Sequence, residues 1–204
     1  MPEEHELEPV EREAPAEQED EERPQLDPEV EARRIAAMSF IRKLGDPVLK
    51  SSATRVDRFD DGLRNQVQRM GSIMNDALGV GLAAPQLGVS QRLLVYRVGP
   101  DAPLIALANP EVDWRSEESE TLEEGCLSIP GTHVDVERPV HVRVRARDEE
   151  GDERLVEASG LEARVIQHEI DHLDGVLILE RTTREQRREA MRALRERERE
   201  AEAA

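Results

Sequence analysis

The stretch QHEIDHLDG, residues 167–175, predicts a central helix that carries a metal site. A helix places residues four apart on one face, with Cβ atoms roughly 5–6 Å apart, so His168 and His172 can bind a single metal ion. Glu169 follows His168 directly, about 100° around the helix axis, where its carboxylate can reach water on that ion. Two neutral nitrogen ligands beside a carboxylate are typical of sites that activate water at neutral pH.

This helix, predicted over Leu161–Leu173, leaves the metal ion one protein ligand short. Val165 shares the side of the two histidines, and the opposite side is apolar. A zinc-type site needs a third protein ligand. None of the chain's five histidines follows His172, which excludes the HExxHxxGxxH arrangement. A glutamate of the C-terminal helix is one candidate, and the lone thiol of Cys126 is the better one.

The charge of the chain is unevenly distributed. The 204 residues carry a formal net charge of −18, and residues 1–34 contain 14 Asp and Glu against 4 Arg. This front segment has five prolines and almost no large apolar side chains, so burial cannot offset the entropy of ordering it. We therefore expect an acidic N-terminal extension over residues 1–37, disordered over roughly 1–26, with a short helix at 28–38. Met38 is an alternative start, and a catalytic domain is expected over residues 38–182.

The composition also excludes several classes of protein. No apolar run suits a signal peptide or a membrane span, and an acidic start is unlike an organelle transit peptide. Overall acidity argues against non-specific binding to DNA or other nucleic acid. Cys126 is the single cysteine, which rules out an intrachain disulfide. A cytoplasmic protein without membrane or DNA partners is the expectation.

The spacing of apolar residues predicts an α+β fold, with antiparallel β-sheets wrapped around the central helix. A helix is predicted over Asp61–Leu78, ended by Gly79. Ile41–Leu49 is expected to be a loop that leads into the core. Short β-type runs follow, separated by turns at residues 109–110 and 148–152. The predicted strands are Leu93–Tyr96, Leu104–Leu107, Val134–Val136, Val140–Ala146 and Leu155–Ala158.

Two further segments combine small residues with groups that can serve a reaction. EGCLSIP, residues 124–130, lies between strand-like runs, and its glycine and proline favour an irregular backbone that aims the Cys126 thiolate. The same backbone leaves the Leu127 N–H unpaired. GVGLAAPQ, residues 79–86, ends a helix with two glycines, which let a ligand or another backbone approach closely. Taken alone, EGCLSIP also fits an inert, buried cysteine. GVGLAAPQ, taken alone, fits an ordinary helix C-cap and turn equally well.

Together, GVGLAAPQ, EGCLSIP and QHEIDHLDG resemble, in order and spacing, the three motifs of the peptide deformylases. The similarity extends from about Ile41 to Arg181. That family removes the formyl group from the N-terminal formylmethionine of nascent bacterial proteins and releases formate. The resemblance implies the same reaction here, on formyl-Met nascent peptides. Iron(II) is the metal that it implies, while nickel, cobalt and zinc also suit a Cys/His₂ site.

The resemblance implies a role for each motif residue. Glu169 is the catalytic acid and base, and Gln86 with the backbone N–H of Leu127 holds the oxyanion. Apart from the resemblance, Asp171 or Asp174 is a candidate to orient a ligand imidazole, and Asp171 fits a surface charge equally well. The implied metal ligands are Cys126, His168 and His172.

The resemblance also locates the substrate. The Gly79–Gly81 backbone and the segment after Ile129 should flank the peptide as strand-like partners. Gly81 is included among the substrate-binding residues. His133 follows the cysteine motif where a substrate-side polar residue could lie, but it is interpreted as a surface residue. The candidates for the methionine side-chain pocket are Val80, Ile129 and Val165.

A charged C-terminal helix is predicted from Thr183 towards Ala204, as a segment of its own over residues 183–204. Its arginine stripe lies beside glutamates, which predicts a solvated helix with weak ion pairs. Some family members bind ribosomal RNA through such a helix, so the ribosome is a second expected partner. The stripe consists of Arg184, Arg188, Arg192, Arg195 and Arg199.

Two alternatives remain. An HExxH metallopeptidase with a glutamate as third ligand would cut internal peptide bonds and would keep its metal without Cys126. A non-catalytic homologue would bind peptide termini only. The presence of every motif residue argues against the second alternative.

Overall fold

A computed structural model describes residues 26–203 of the chain. The predicted disorder of residues 1–26 therefore lies, apart from Leu26, outside the described residues. The α-helices are α1 (Pro28–Met38), α2 (Asp61–Asp76), α3 (Gly160–Leu173) and α4 (Arg184–Ala203). Single turns of 3₁₀-helix occur at Pro47–Lys50, Ala84–Leu87 and Ile178–Glu180.

Within residues 26–203, seven strands form two antiparallel sheets. They are β1 (Gly81–Ala83), β2 (Leu93–Tyr96), β3 (Ile105–Arg115), β4 (Ser119–Cys126), β5 (Ile129–Pro139), β6 (His141–Arg147) and β7 (Glu153–Ser159). The larger sheet has the order β1-β2-β3-β6-β7, and β4 pairs with β5 in the smaller sheet. Strand β1 is therefore an edge of the larger sheet.

Helix α3 contacts strands of both sheets, which confirms the α+β fold around a central helix. Its apolar side packs into a core with the inner faces of β2 and β6, where Ile166 and Leu173 are completely buried. Helix α2 packs on the opposite face of the larger sheet, and its Met70 and Met74 belong to that core. The packing of α3 against strands of both sheets therefore fixes the position of the helix that bears the two histidines.

The predicted end of the second helix is wrong in detail. Helix α2 ends at Asp76, and Leu78 rather than Gly79 adopts the left-handed conformation, with φ 59°. The Leu78 N–H donates to the Asn75 carbonyl at 3.0 Å and the Gly79 N–H donates to the Met74 carbonyl at 2.9 Å. This is the hydrogen-bond pattern of a Schellman cap, closed here by a leucine in the position that usually holds glycine.

The predicted turn at residues 109–110 is also wrong, because β3 continues through it to Arg115. The register with β6 shifts at this point, and Asn109 has φ 53°. The Asn109 side chain accepts from the Val56 N–H and donates to the Val56 carbonyl, each at 2.8 Å. The side-chain amide of Asn109 thus forms the two hydrogen bonds with the Val56 backbone that a neighbouring strand would otherwise form. The chain continues through a β-bulge at this point instead of turning.

Strand β4 was not predicted, because its sequence lacks the alternation of apolar and polar residues that marks a half-buried strand. Most of its side chains are exposed, and Glu124 is the one that is buried. Pairing with β5 makes the segment a strand, and Val134–Val136 is only the middle of that partner. The predicted strands β2, β6 and β7 and the turn at 148–152 are confirmed.

Among residues 26–203, no helix has an apolar stretch long enough to cross a membrane.

Candidate active site

A cleft of about 540 Å³ brings the three motifs together. Residues 79–81 form one side with the end of α2, residues 123–127 and 130–133 contribute from the smaller sheet, and α3 forms the floor. Helix α1 also reaches the rim through Arg34 and Met38. The motifs that are far apart in the sequence therefore meet at one place.

The floor of the cleft contains a group with the composition of a metal site. Ligand atoms of Cys126, His168 and His172 all lie within 4.8 Å of one another. The Cys126 Sγ is 3.3 Å from the His172 Nε2. Metal bonds of about 2.0–2.3 Å bring ligand atoms to nearly this spacing around a shared ion. Within residues 26–203, this group of potential ligands contains no glutamate from α4.

The pKa values of Cys126 and His168 indicate that this group favours a bound positive charge. Burial opposes ionisation of the Cys126 thiol, but the adjacent His172 and His168 imidazoles outweigh it and hold its pKa well below the usual range. Burial likewise disfavours a charged His168, yet hydrogen bonds with Cys126 and Glu124 raise its pKa to about 10. The site thus favours a positive charge beside the thiolate, and a metal ion bound there would take the place of the proton on His168.

Glu124 orients the first histidine, a role that we had predicted for Asp171 or Asp174. The His168 Nδ1–H donates to the Glu124 Oε2 at 3.0 Å, which leaves Nε2 for a metal ion. Asp171 instead pairs with Arg138 at 2.9 Å, and Asp174 pairs with Arg92 on the surface. The prediction for both aspartates is therefore wrong.

The Glu124 carboxylate is itself held by arginines. Arg138 donates to both of its oxygens, at 2.6 and 2.9 Å, and Arg164 donates to Oε1 at 2.7 Å. Although burial opposes ionisation of Glu124, its hydrogen bonds with His168 and Arg138 lower its pKa to about 2. A permanently charged carboxylate thus fixes the tautomer and orientation of the His168 ring.

Glu169 lies buried against the histidines and the edge strand β1. Its Oε2 has no hydrogen-bond partner among the described residues, and burial raises the pKa of its carboxyl group. A Cβ atom on Gly81 would lie 2.4 Å from the Glu169 Oε1. Any side chain at position 81 would therefore collide with the Glu169 carboxylate. This steric conflict explains why the motif has glycine at this position.

Gln86 is buried, with its amide held in one orientation. Its Oε1 accepts the Ala83 N–H at 2.8 Å, so its Nε2 faces the Cys126 sulfur at 4.0 Å and donates to the Ser128 hydroxyl at 3.3 Å. The Leu127 N–H takes part in no hydrogen bond within the described residues. Two donors consequently lie beside the potential metal ligands.

The loop 41–49 fixes these two donor segments. The Arg42 N–H donates to the Gln86 carbonyl at 2.7 Å, and the Leu44 N–H donates to the Ser128 carbonyl at 3.0 Å. The Lys43 ammonium donates to the Leu127 carbonyl at 3.2 Å. The expected loop therefore joins the GVGLAAPQ and EGCLSIP segments on the side away from the cleft.

The predicted methionine pocket needs one correction. Val80, Gly81 and Val165 line the cleft. Ile129 does not, because its side chain is completely buried in the core beneath the smaller sheet, with Leu49 and Leu177. Strand β5 begins at Ile129, and the pairing of Cys126 with Ile129 turns that side chain inward.

Several residues that line the cleft were not among the substrate-binding residues predicted from the sequence. Leu127 and Leu161 add apolar side chains, and His133, interpreted as a surface residue, lies exposed on the rim. The position of Leu161, four residues before Val165 on the ligand-bearing face, could have indicated the cleft. Arg34 lies in the N-terminal extension and Met38 is the first residue after it, and nothing in the motifs points to either residue.

Comparison with known proteins agrees with this geometry. The family model described as polypeptide deformylase matches residues 38–188. A peptide deformylase from Picosynechococcus is 47% identical over 145 residues, which cover 70% of this chain and 78% of the relative. Another from Parafrankia is 48% identical over 158 residues, covering 78% of this chain and 86% of the relative.

Solved structures give the same result. A peptide deformylase from Synechococcus elongatus, in complex with actinonin, has a TM-score of 0.72 and 44% identity over 75% of this chain and 85% of that one. The enzyme from Legionella pneumophila has a TM-score of 0.75 and 38% identity over 80% of this chain and 97% of that one. The chain therefore belongs to the polypeptide deformylase family.

Proposed function

We propose that Cys126, His168 and His172 bind one divalent metal ion, which we expect to be iron(II), and that Glu169, Gln86 and Leu127 perform the chemistry around it. The chain is a metal-dependent hydrolase that removes the formyl group from the N-terminal formylmethionine of newly synthesised proteins and releases formate. The observation that carries the assignment of roles is the convergence of one thiol and two imidazoles beside a buried carboxylate with an unpaired oxygen.

The residues present fit a metal ion. The thiolate and two neutral imidazoles would surround it on one side and leave the cleft side open for water, as in other catalytic sites. When bound, the ion would supply Lewis acidity that makes water nucleophilic at neutral pH and polarises the formyl oxygen. A thiolate favours iron(II), nickel, cobalt or zinc over magnesium or calcium.

Glu169 is suited to move the proton. Its unpaired Oε2 can accept a proton from the attacking water, since hydrogen bonds with neighbouring protein groups do not occupy it. Burial, which raises the pKa of the carboxyl group, lets Glu169 hold this proton and then donate it to the departing amine. The same group thus serves as base and as acid.

Gln86 and Leu127 are suited to stabilise the oxyanion. The Gln86 amide is oriented before substrate arrives, because Ala83 holds its oxygen. The Leu127 N–H is available, and the Lys43 bond to the Leu127 carbonyl fixes the orientation of this residue. Preorganised donors cost no rearrangement when negative charge develops on the formyl oxygen, and the loss of one such donor typically costs about 10²–10³-fold in rate.

The peptide can bind as an additional strand. Strand β1 is an edge of the larger sheet, beside the cleft, and an extended peptide can pair with such an edge. Val80, Val165, Leu127 and Leu161 form an apolar surface next to it for the methionine side chain. A formyl carbon carries only hydrogen, so a small, shielded site beside the Cys/His₂ group can admit it while rejecting bulkier acyl groups.

Formate release from a formyl-Met peptide tests the function. The full chain, purified without oxygen in the presence of iron(II), should release one formate for each free amine that appears. An acetyl-Met peptide of the same sequence serves as the control and should remain intact. Absence of formate from the formyl peptide, with iron bound, would contradict the assignment.

We further propose that the protein is cytoplasmic and contacts the ribosome through α4, since its substrates, the nascent chains, emerge from the ribosome. The apolar side of α4, with Met191 and Leu194, packs against the core under the smaller sheet. Its arginine stripe is exposed. Among the side chains of α4 that the structure describes, none takes part in a salt bridge, so the predicted ion pairs are absent there. Arg188 and Arg192 are therefore available for phosphates.

Charge reversal of Arg188 and Arg192 to glutamate should weaken binding to purified ribosomes and reduce its salt dependence, since phosphate contacts release counterions. Formate release from short peptides should be unchanged, because both side chains are exposed on α4. Reversal of Arg33 and Arg115, which are exposed and lie outside α4, is the matched control for net charge. Equal ribosome binding by the α4 variant and the native chain would contradict the proposal.

A further inference from the structure

Arg34 belongs to the catalytic cleft although it lies outside the region that matches the family. The family model begins at residue 38, and Arg34 precedes it in α1. The Arg34 side chain lines the rim of the cleft and is 42% exposed. Met38, one helical turn later, lines the same rim. The N-terminal extension thus contributes one face of a helix to the substrate side of the enzyme.

Helix α1 is held firmly enough to position this arginine. Asp27 caps its N-terminus by accepting the Glu29 N–H at 2.9 Å. Near its C-terminus, Ala37 is buried in the core that includes α2. Just beyond the helix, the Arg69 guanidinium of α2 lies 5.5 Å from the centre of the Phe40 ring. The helix is therefore anchored at the end that bears Arg34.

Among the described residues that line the cleft, Arg34 is the solvent-accessible side chain with a permanent positive charge. Arg164 also lines the cleft, but it is buried and donates to Glu124 at 2.7 Å. His168 belongs to the potential metal ligands, and among the described lining residues only Glu123 is a second exposed, permanently charged group. It lies on β4, whereas Arg34 is on α1. The two charges thus belong to different parts of the rim.

The existing partner of Arg34 leaves it free to bind substrate. Glu31 lies 3.7 Å away, one turn earlier on α1, and both side chains are 42% exposed. An exposed pair of this kind contributes only about 0–1 kcal/mol, so an incoming carboxylate can compete for the guanidinium. Arg33, the preceding residue, is exposed but is not part of the cleft. Of the two adjacent arginines, Arg34 therefore lines the cleft and Arg33 does not.

We propose that Arg34 gives this enzyme a preference for nascent chains with an acidic side chain among the residues that follow the formylmethionine. The inference rests on the proposed function, in which the formyl group lies at the Cys/His₂ group and the peptide pairs with β1. Residues 78–80 directly precede β1 and line the cleft, so we place the exit of the peptide along them. A peptide on that path passes the end of α2, where Leu78 and Gly79 line the cleft together with Arg34. The guanidinium attracts a carboxylate there and repels an ammonium.

Amidated peptides of the form formyl-Met-Ala-Xaa-Ala-Ser test this preference, with Xaa as glutamate, glutamine or lysine, and with the same residues moved one position either way. The amide removes the terminal carboxylate, so that only Xaa differs in charge. The kcat and KM of formate release are measured for the full chain, for Arg34→Gln and Arg34→Glu, and for the matched control Arg33→Glu.

The native chain should favour glutamate over lysine by about three- to fivefold in kcat/KM at one or more positions, mainly through KM. Arg34→Gln should remove this preference and Arg34→Glu should reverse it, while Arg33→Glu retains it. At a salt concentration of about 1 M, where the screening length falls to roughly 3 Å, the preference should largely disappear.

A glutamate-to-lysine ratio that is the same in Arg34→Glu and the native chain would overturn the inference. So would an equal loss on all three peptides, which would indicate a structural role only. Both results leave the proposed function intact, because the neutral glutamine peptide still releases formate. Absence of formate from the glutamine peptide with the native chain would instead overturn the proposed function, and the inference with it.

Discussion

Replacement of Glu169 by glutamine should lower the rate of formate release by about 10²–10⁴-fold, the usual contribution of a general acid and base, while the metal stays bound. Glutamine has nearly the same shape as glutamate, so it fits the space beside Gly81, where there is no room for an additional atom. The amide cannot accept a proton from water and return it to the amine. Because Glu169 is not one of the three potential ligands, the metal group keeps its donors.

Two measurements distinguish this outcome from a loss of structure. Metal content per chain, determined after desalting, should equal that of the native protein, and KM for the formyl-Met peptide should change little. Glu162→Gln provides a matched control on the same helix, since Glu162 lies near the beginning of α3 and its carboxylate bonds with the Tyr96 hydroxyl at 2.9 Å. Undiminished formate release by Glu169→Gln would contradict the role of this carboxylate.

Replacement of Cys126 by alanine should remove the metal and with it the activity. Loss of an outer partner of a metal ligand already costs about 10–100-fold in affinity, and loss of the ligand itself should cost more. His168 and His172 alone leave a site one protein ligand short of a catalytic centre. Within the described residues, no carboxylate can replace the thiolate as a ligand, since the group of potential metal ligands consists of Cys126, His168 and His172.

The experiment is read by metal analysis and by the thiolate-to-metal absorption of a cobalt-substituted protein. Both signals should be present in the native chain and absent from Cys126→Ala. Ser128→Ala is a control in the same segment, because it removes the 3.3 Å bond with Gln86 but no potential ligand. A Cys126→Ala variant that keeps its full metal content would favour the HExxH peptidase with a different third ligand.

The sequence alone determined the elements that depend on local spacing. The helical period of residues 161–173 predicted both the position of α3 and the face that carries His168, Glu169 and His172. The motif residues on other segments could be named because their short patterns resemble a known family. Gly81 and Gln86 were identified in this way, and the structure adds the reasons: contact with Glu169 for the first, and the Ala83 bond for the second.

Only the tertiary structure decided what depends on contacts between distant segments. Glu124 has the same charge as its neighbour Glu123, and nothing local indicates that one is buried beneath His168 and the other is exposed on the rim. Ile129 has the apolar character of a pocket residue, yet the turn between β4 and β5 points it into the core. Arg34 enters the cleft because α1 packs against α2. Periodicity determines which face of an element is apolar, whereas the surroundings of each face depend on how the elements pack.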